Sequence, residues 1–100
     1  MDFKVILSDF FISDLKEIVD YLTNHADAET AARIGNELLD RALAVGQNTF
    51  LGQPVKQKRG ARKVLCYRYL IYYDVDETSR TVEVLRVWHG ARDPGTLSLA

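Results

Sequence analysis

The sequence predicts an α+β fold in the order β-α-α-β-β-β, a helical hairpin packed on a mainly antiparallel four-stranded sheet. Three observations lead there. Between Asp9 and Gln47, apolar side chains recur at helical spacing in two stretches separated by a short break. From Ala61 to Trp88 the chain is rich in β-branched and aromatic residues, interrupted by the polar knot Asp76-Glu77-Thr78-Ser79-Arg80. And 100 residues give room for one core, burying roughly 65% of the surface of the unfolded chain, so both halves share a single domain spanning residues 1–100.

Taken in order, Asp2-Phe-Lys-Val-Ile-Leu7 is short and alternates imperfectly, as a first strand of about five residues would. Ser8 and Asp9 then offer side-chain oxygens to the unbonded N–H groups of a helix start. Phe11, Leu15, Ile18 and Leu22 come next at spacings of four, three and four, with Ile12 and Val19 widening the stripe, so the first helix runs to about Asn24. Its opposite face, Asp14, Lys16, Glu17 and Asp20, reads as solvated charge.

Asn24 to Asp27 breaks the pattern. Asp27 can cap a second helix, and Thr30 stands where a capping box would have Glu. His25 sits in this polar break with no second metal-ligand candidate nearby, so its role is structural or incidental. The second helix, Ala28 to Gln47, carries the stripe Ala31, Ile34, Leu38, Ala42 and Val45. The short connection implies an antiparallel hairpin, and Ala31, Ala32, Gly35 and Ala42 allow the helices close together. Residues 48–60, with Gly52, Pro54 and Gly60, read as an extended connection.

Strands are predicted over Ala61–Tyr67, Tyr69–Asp76 and Thr81–Trp88. In the middle one, Tyr69, Ile71, Tyr73 and Val75 share the face expected to meet the helices, while Leu70, Tyr72 and Asp74 share the other. The last alternates less cleanly: Leu85 and Val87 oppose Val84, Arg86 and Trp88, which implies apolar contact on both faces. The pattern leaves open which neighbour the first strand takes.

Composition narrows the classes of function. With 47% apolar and 27% charged residues the chain is ordinary for a globular protein, and no apolar run approaches the ~20 residues of a bilayer span. Asp2 and the lack of a small-residue cleavage site argue against a secretory signal, making the cytoplasm the expected compartment. The lone Cys66 excludes an intramolecular disulfide and reads as a small buried hydrophobe. One cysteine and two distant histidines leave no ligand set, so neither a metal nor an organic cofactor is expected.

The net charge of −1 hides an asymmetry. Residues 1–50 hold four Lys/Arg against nine Asp/Glu, and residues 51–100 hold nine against five, so the halves carry −5 and +4. The helical half is acidic and the sheet half basic, a distribution suited to an acidic partner or to nucleic acid. Lys56, Lys58, Arg59, Arg62, Lys63 and Arg68 precede or occupy the first sheet strands without an intervening acid, and Arg86, His89 and Arg92 lie beyond. These nine are the candidate binding residues, expected to gather around one sheet.

Asp14-Leu15, Glu17-Ile18 and Asp20-Tyr21 in the first helix, Ala31-Ala32-Arg33 opening the second, Gly60-Ala61-Arg62-Lys63, Arg68-Tyr69-Leu70-Ile71-Tyr72-Tyr73 and Leu85-Arg86-Val87-Trp88-His89-Gly90-Ala91-Arg92-Asp93 occur in an order that resembles the RelE/ParE superfamily of bacterial toxins. The resemblance covers nearly the whole chain. It implies the toxin of a type II toxin–antitoxin module, as in plasmid stabilisation, neutralised by a ParD-like antitoxin with which it forms a hetero-oligomer.

The superfamily divides by target. RelE-like members resemble RNases that cleave mRNA on the ribosome, whereas ParE-like members inhibit DNA gyrase without a known catalytic act. Metal-free RNA cleavage needs a group to activate the 2′-hydroxyl, cations on the phosphorane and an acid for the leaving oxygen. By resemblance to the RNase branch, Lys56, Lys58, Arg62, Arg86 and His89 would serve. That branch often places a tyrosine just after the last strand, but here His89 is succeeded by Gly90 and Ala91 and no tyrosine occurs after Tyr73. The ending looks ParE-like, which favours gyrase inhibition and no enzymatic step. The alternatives are a ribosome-dependent endoribonuclease and an attenuated toxin that only binds its antitoxin. Within the strand, Arg86 is expected to pair with Glu83, Asp74 or an antitoxin carboxylate, and Tyr67, Tyr69, Tyr72 and Tyr73 to serve the core and sheet faces.

Overall fold

The computed structural model describes residues 2–91 and Leu99. Its elements in chain order are β1 (Lys4–Leu7), α1 (Asp9–His25), α2 (Ala28–Ala44), β2 (Gln53–Pro54), β3 (Ala61–Cys66), β4 (Tyr69–Asp76) and β5 (Thr81–His89). The strands form one sheet in the order β1-β5-β4-β3-β2, parallel between β1 and β5 and antiparallel elsewhere. The expected α+β fold is present with five strands rather than four. The additional one, β2, is two residues long, too short to leave a periodic trace.

Both helices start on the expected caps. The Ser8 hydroxyl accepts the Phe11 N–H at 3.0 Å, and an Asp27 carboxylate oxygen accepts the Thr30 N–H at 2.7 Å. α2 ends at Ala44 rather than Gln47, because the chain turns there to meet β1: the Phe3 N–H bonds to the Gly46 carbonyl at 2.8 Å. The hairpin is tight where Gly35 faces Val19; a Cβ at Gly35 would lie 2.9 Å from a Val19 methyl.

The hairpin covers one face of the sheet. Phe11, Leu38, Ala42 and Val45 from the helical half bury against Val64, Cys66, Ile71, Tyr73, Val82, Val84 and Val87 from the strands. The reverse face has a smaller cluster of its own, Ala61, Tyr72, Leu85, Trp88 and Leu99, with Val55 and Leu70 at its margin. Apolar contact on both faces of β5 is therefore present. Its cause is a β-bulge: Tyr73 stands opposite Val84 but Tyr72 opposite Arg86, leaving Leu85 as the extra residue. Past the bulge the alternation restarts on the opposite foot, so Val87 joins the helix side and Trp88 the reverse.

Candidate functional site

Between the helices and the sheet lies a cleft of about 680 Å³. α1 contributes Asp14, Glu17, Ile18, Tyr21 and Leu22, α2 contributes Thr30 and Ile34, and the sheet contributes Tyr67, Arg68, Tyr69, Val87 and His89. The volume lies within the ~300–1,000 Å³ typical of a binding site. Its floor is apolar, with Glu17 and Arg68 exposed on its rim. The helical stripe of the sequence supplies the floor, and Tyr21, 59% exposed, overhangs it. Sequence reasoning passed over Tyr21 and Ile34 as site residues. The available signal was a large aromatic at the end of a stripe, four residues before His25, on whose ring it stacks at 4.1 Å. His25, expected in the break after a helix ending near Asn24, is instead the last residue of α1, and its Nδ1–H donates to the Tyr21 carbonyl at 2.9 Å.

The sheet wall of the cleft is built by the turn between β3 and β4. Tyr67, expected as the last residue of a strand, instead adopts φ +56° in the turn, a conformation a bulky residue occupies at a cost of about 1 kcal/mol or more. A hydrogen bond to Glu37 of α2 pushes its ionisation above the ordinary tyrosine value. The neighbouring Arg68 carbonyl accepts the Gly90 N–H at 2.7 Å, tying the end of β5 to this turn. His89 lies opposite Tyr69 in the register and meets its ring edge-on at 5.4 Å. The His89 Nδ1 accepts the Ala91 N–H at 3.0 Å, so in the neutral ring the proton resides on Nε2. Burial raises the Tyr69 pKa.

Arg86 pairs with a residue the sequence did not suggest. Its Nε and Nη2 donate to the two carboxylate oxygens of Asp14 at 2.7 and 2.9 Å. The expected Glu83 and Asp74 are two and more registers away along β4 and β5, whereas α1 runs beside β5 and brings Asp14 to it. Asp14, read from sequence as solvated charge, is thus part of the fold, its side chain only 12% exposed. The bidentate bond pushes the Arg86 pKa further up. The guanidinium also lies within 6 Å of the Phe10 and Trp88 rings.

The remaining candidate cations do not gather on one face. Register puts Arg62 on the helix side, opposite Tyr73, and Lys63 on the reverse face, opposite Tyr72. Arg62 donates its Nε to the Gly52 carbonyl at 2.9 Å and covers the Phe50 ring. Lys58 pairs with Asp74 at 3.2 Å. Lys56 and Arg59 are exposed in the connection before β3, and Arg68 is exposed in the cleft-side turn. Arg92 lies outside the described residues. The cations expected around one sheet are thus divided between its two faces and two ends, because neighbouring residues of a strand point oppositely. Among the described residues no group of three His, Cys, Asp or Glu could hold a metal, and no helix is long and apolar enough to cross a membrane.

Comparison with known proteins gives three findings. A sequence profile of the family described as "ParE toxin of type II toxin-antitoxin system, parDE" matches residues 5–94. No curated protein matches the sequence. Among solved structures, one from the chromosomal ParDE system of P. aeruginosa superposes with a TM-score of 0.78 at 15% identity, covering 87% of this chain and 95% of that one. One from the RelBE2 toxin–antitoxin complex of Mycobacterium tuberculosis gives 0.70 at 20% identity over 89% and 99% of the two chains. A mutant of the E. coli toxin RelE in the free state gives 0.66 at 10% identity over 91% and 86%. At these identities the likeness is one of fold.

Proposed function

The chain belongs to the ParE family of toxins of type II toxin–antitoxin systems, and from that membership we propose that it is a cytoplasmic inhibitor of DNA gyrase held in check by a ParD-like antitoxin. Inhibition on this reading is binding without a chemical step. The observation that carries it is the dispersal of the five groups that RNA cleavage would require. Lys58 is paired with Asp74, Arg62 with the Gly52 carbonyl and Arg86 with Asp14, while His89 and Arg86 belong to opposite faces of the sheet. Cleavage needs its base, acid and cations around a single phosphate. Here that would mean breaking contacts the fold already makes.

The cleft is the seat this reading gives the antitoxin. An amphipathic segment would lay large apolar side chains between Ile18, Leu22 and Ile34, with an acid toward Arg68 and a base toward Glu17. The exposed Lys56, Arg59 and Arg68 remain available to the antitoxin or to gyrase. The product is a hetero-oligomer whose formation removes the toxin from its target.

Two assays run side by side test the proposal. Purified toxin should block supercoiling by gyrase and leave mRNA intact in a translation reaction whose mRNA ends are mapped. Cleaved mRNA with normal supercoiling would overturn it in favour of a ribosome-dependent endoribonuclease. If neither changes while a small protein from a neighbouring reading frame still co-purifies, the protein is a toxin that only binds its antitoxin. Ile34→Asp should abolish that co-purification if the cleft is the seat.

A further inference from the structure

β1 stops at Leu7, opposite Val84, so the outer edge of β5 beyond that point has no strand beside it among the described residues. α1 runs there instead. The Ser8 N–H bonds to the Val84 carbonyl at 3.0 Å, the Ser8 hydroxyl donates to the Leu85 carbonyl at 2.8 Å, and Asp14 accepts the Val87 N–H at 3.2 Å. These contacts bracket the bulge at Leu85. The carboxylate on its far side also takes two hydrogen bonds from Arg86. Three donors from two consecutive residues of β5 thus converge on one side chain of α1.

The consequence comes from the period of a strand. A one-residue change of register turns every later side chain to the other face. Without the bulge, Val87 and His89 would leave the helix side, and the cleft would lose one wall together with its histidine. We propose that Asp14 is the positioning residue of the cleft: standing in for the strand that β1 does not provide, it holds β5 beyond the bulge and so fixes the side toward which Val87 and His89 point. Ser8 anchors the near side of the bulge and Asp14 the far side. The carboxylate geometry suits the task, because one oxygen serves the backbone N–H and the guanidinium together while the other completes the fork on Arg86.

The experiment is amide hydrogen exchange and ring-to-ring NMR contacts on the full chain, for wild type, Asp14→Ala and Asp14→Asn. In Asp14→Ala, exchange at Val87 and Trp88 should accelerate at least tenfold and the Tyr69–His89 ring contact should weaken or vanish. Exchange at Val82, Val84 and Ile71, before the bulge or away from it, should stay within about threefold. Asp14→Asn keeps an acceptor oxygen and should fall between the two, which also provides a reading if the alanine variant does not fold. Uniform acceleration across β4 and β5 would mean that Asp14 serves only general stability, and would overturn the proposal. So would an unchanged Val87 amide and an intact Tyr69–His89 contact. These measurements need no partner: a displaced His89 with undiminished antitoxin capture would count against the cleft as the antitoxin's seat and leave the positioning role of Asp14 standing.

Discussion

Two adjacent tyrosines of β4 should respond oppositely to the same one-atom change. Tyr72 and Tyr73 are both wholly buried, but they face opposite sides of the sheet. On the helix side, the Tyr73 hydroxyl accepts the Gly52 N–H at 2.8 Å and donates to the Thr49 carbonyl at 2.9 Å, pinning the connection that leads to β2. On the reverse side, the Tyr72 hydroxyl has no hydrogen-bond partner among the described residues, and burial raises its pKa. Tyr73→Phe leaves a donor and an acceptor stranded, at about 1–3 kcal/mol for the pair. Tyr72→Phe removes a polar atom that is already unsatisfied, so it should be neutral or stabilising. The single tryptophan, Trp88, reports unfolding by fluorescence in urea. With a slope of ~1–3 kcal/mol per M, a loss of about 2 kcal/mol in Tyr73→Phe moves the midpoint down by roughly 0.7–2 M. The corresponding fall in Tm is roughly 8–16 °C for a domain of this size. Equal losses in the two variants would refute the reasoning, since they would make ring packing rather than hydroxyl bonding the determinant.

Three further outcomes are expected. Gly52→Ala would put a Cβ 2.3 Å from the Lys63 carbonyl oxygen and 3.0 Å from the Tyr73 hydroxyl, so the backbone must move; a loss of about 1–3 kcal/mol in urea unfolding, with accelerated exchange around Gln53, should result, and an unchanged midpoint would exclude the close approach. Leu99→Ala should cost about 2 kcal/mol or more and shift the Trp88 emission to the red, because Leu99 is 5% exposed and packs in the same cluster; unchanged emission would place Leu99 elsewhere. The Thr30 N–H holds the Asp27 carboxyl below its ordinary 3.8. Its contribution is present in full above that unfolded value and is lost as pH falls through the lower folded one. Asp27→Asn, which still caps, should therefore lose less stability than wild type between about pH 5 and 2, and parallel pH profiles would contradict the cap.

Much of the fold is written locally. The stripe from Phe11 to Leu22, the Ser8 and Asp27 caps, the small Gly35 and the alternation of Tyr69 to Val75 each depend on neighbours within a few residues, and each appears as read. What local pattern does not carry is pairing between distant segments. β2 is held by contacts from distant residues: the Tyr73 hydroxyl and the Arg62 Nε bond to Gly52, and the Val55 N–H to the Ala61 carbonyl. The end of α2 is set by β1, some forty residues earlier in the chain. Asp14 sits in a run of charges that looks uniformly solvated, and only the path of α1 beside β5 distinguishes it from Lys16 or Asp20.

The same distinction bears on the candidate site. Seen along the chain, Arg86 and His89 look like companions of Lys58 and Arg62, a basic group closing on one surface. The strand period separates them, since residues three apart lie on opposite faces, and the bulge at Leu85 decides which goes where: His89 comes to the helix side beside Tyr69 while Arg86 stands opposite Tyr72 and reaches Asp14 at the sheet edge. A regular strand would have put Arg86 with Val84 on the helix side and turned Val87 and His89 to the reverse face. The extra residue thus exchanges Arg86 for Val87 and His89 on the helix side, giving the apolar cleft a histidine in its wall. The exchange suits a surface that recognises a protein segment, where apolar area supplies affinity and a few rim charges supply register. It suits a phosphate-cleaving centre poorly, since that chemistry draws its rate from charges converging on one point. Deleting Leu85 therefore poses the sharpest question: regular pairing would keep Val84 opposite Tyr73 and Arg86 opposite Tyr72, so Val87 and His89 should stay on the helix side with the Tyr69–His89 contact and antitoxin capture intact, and capture lost while that contact survives would separate recognition from the cleft.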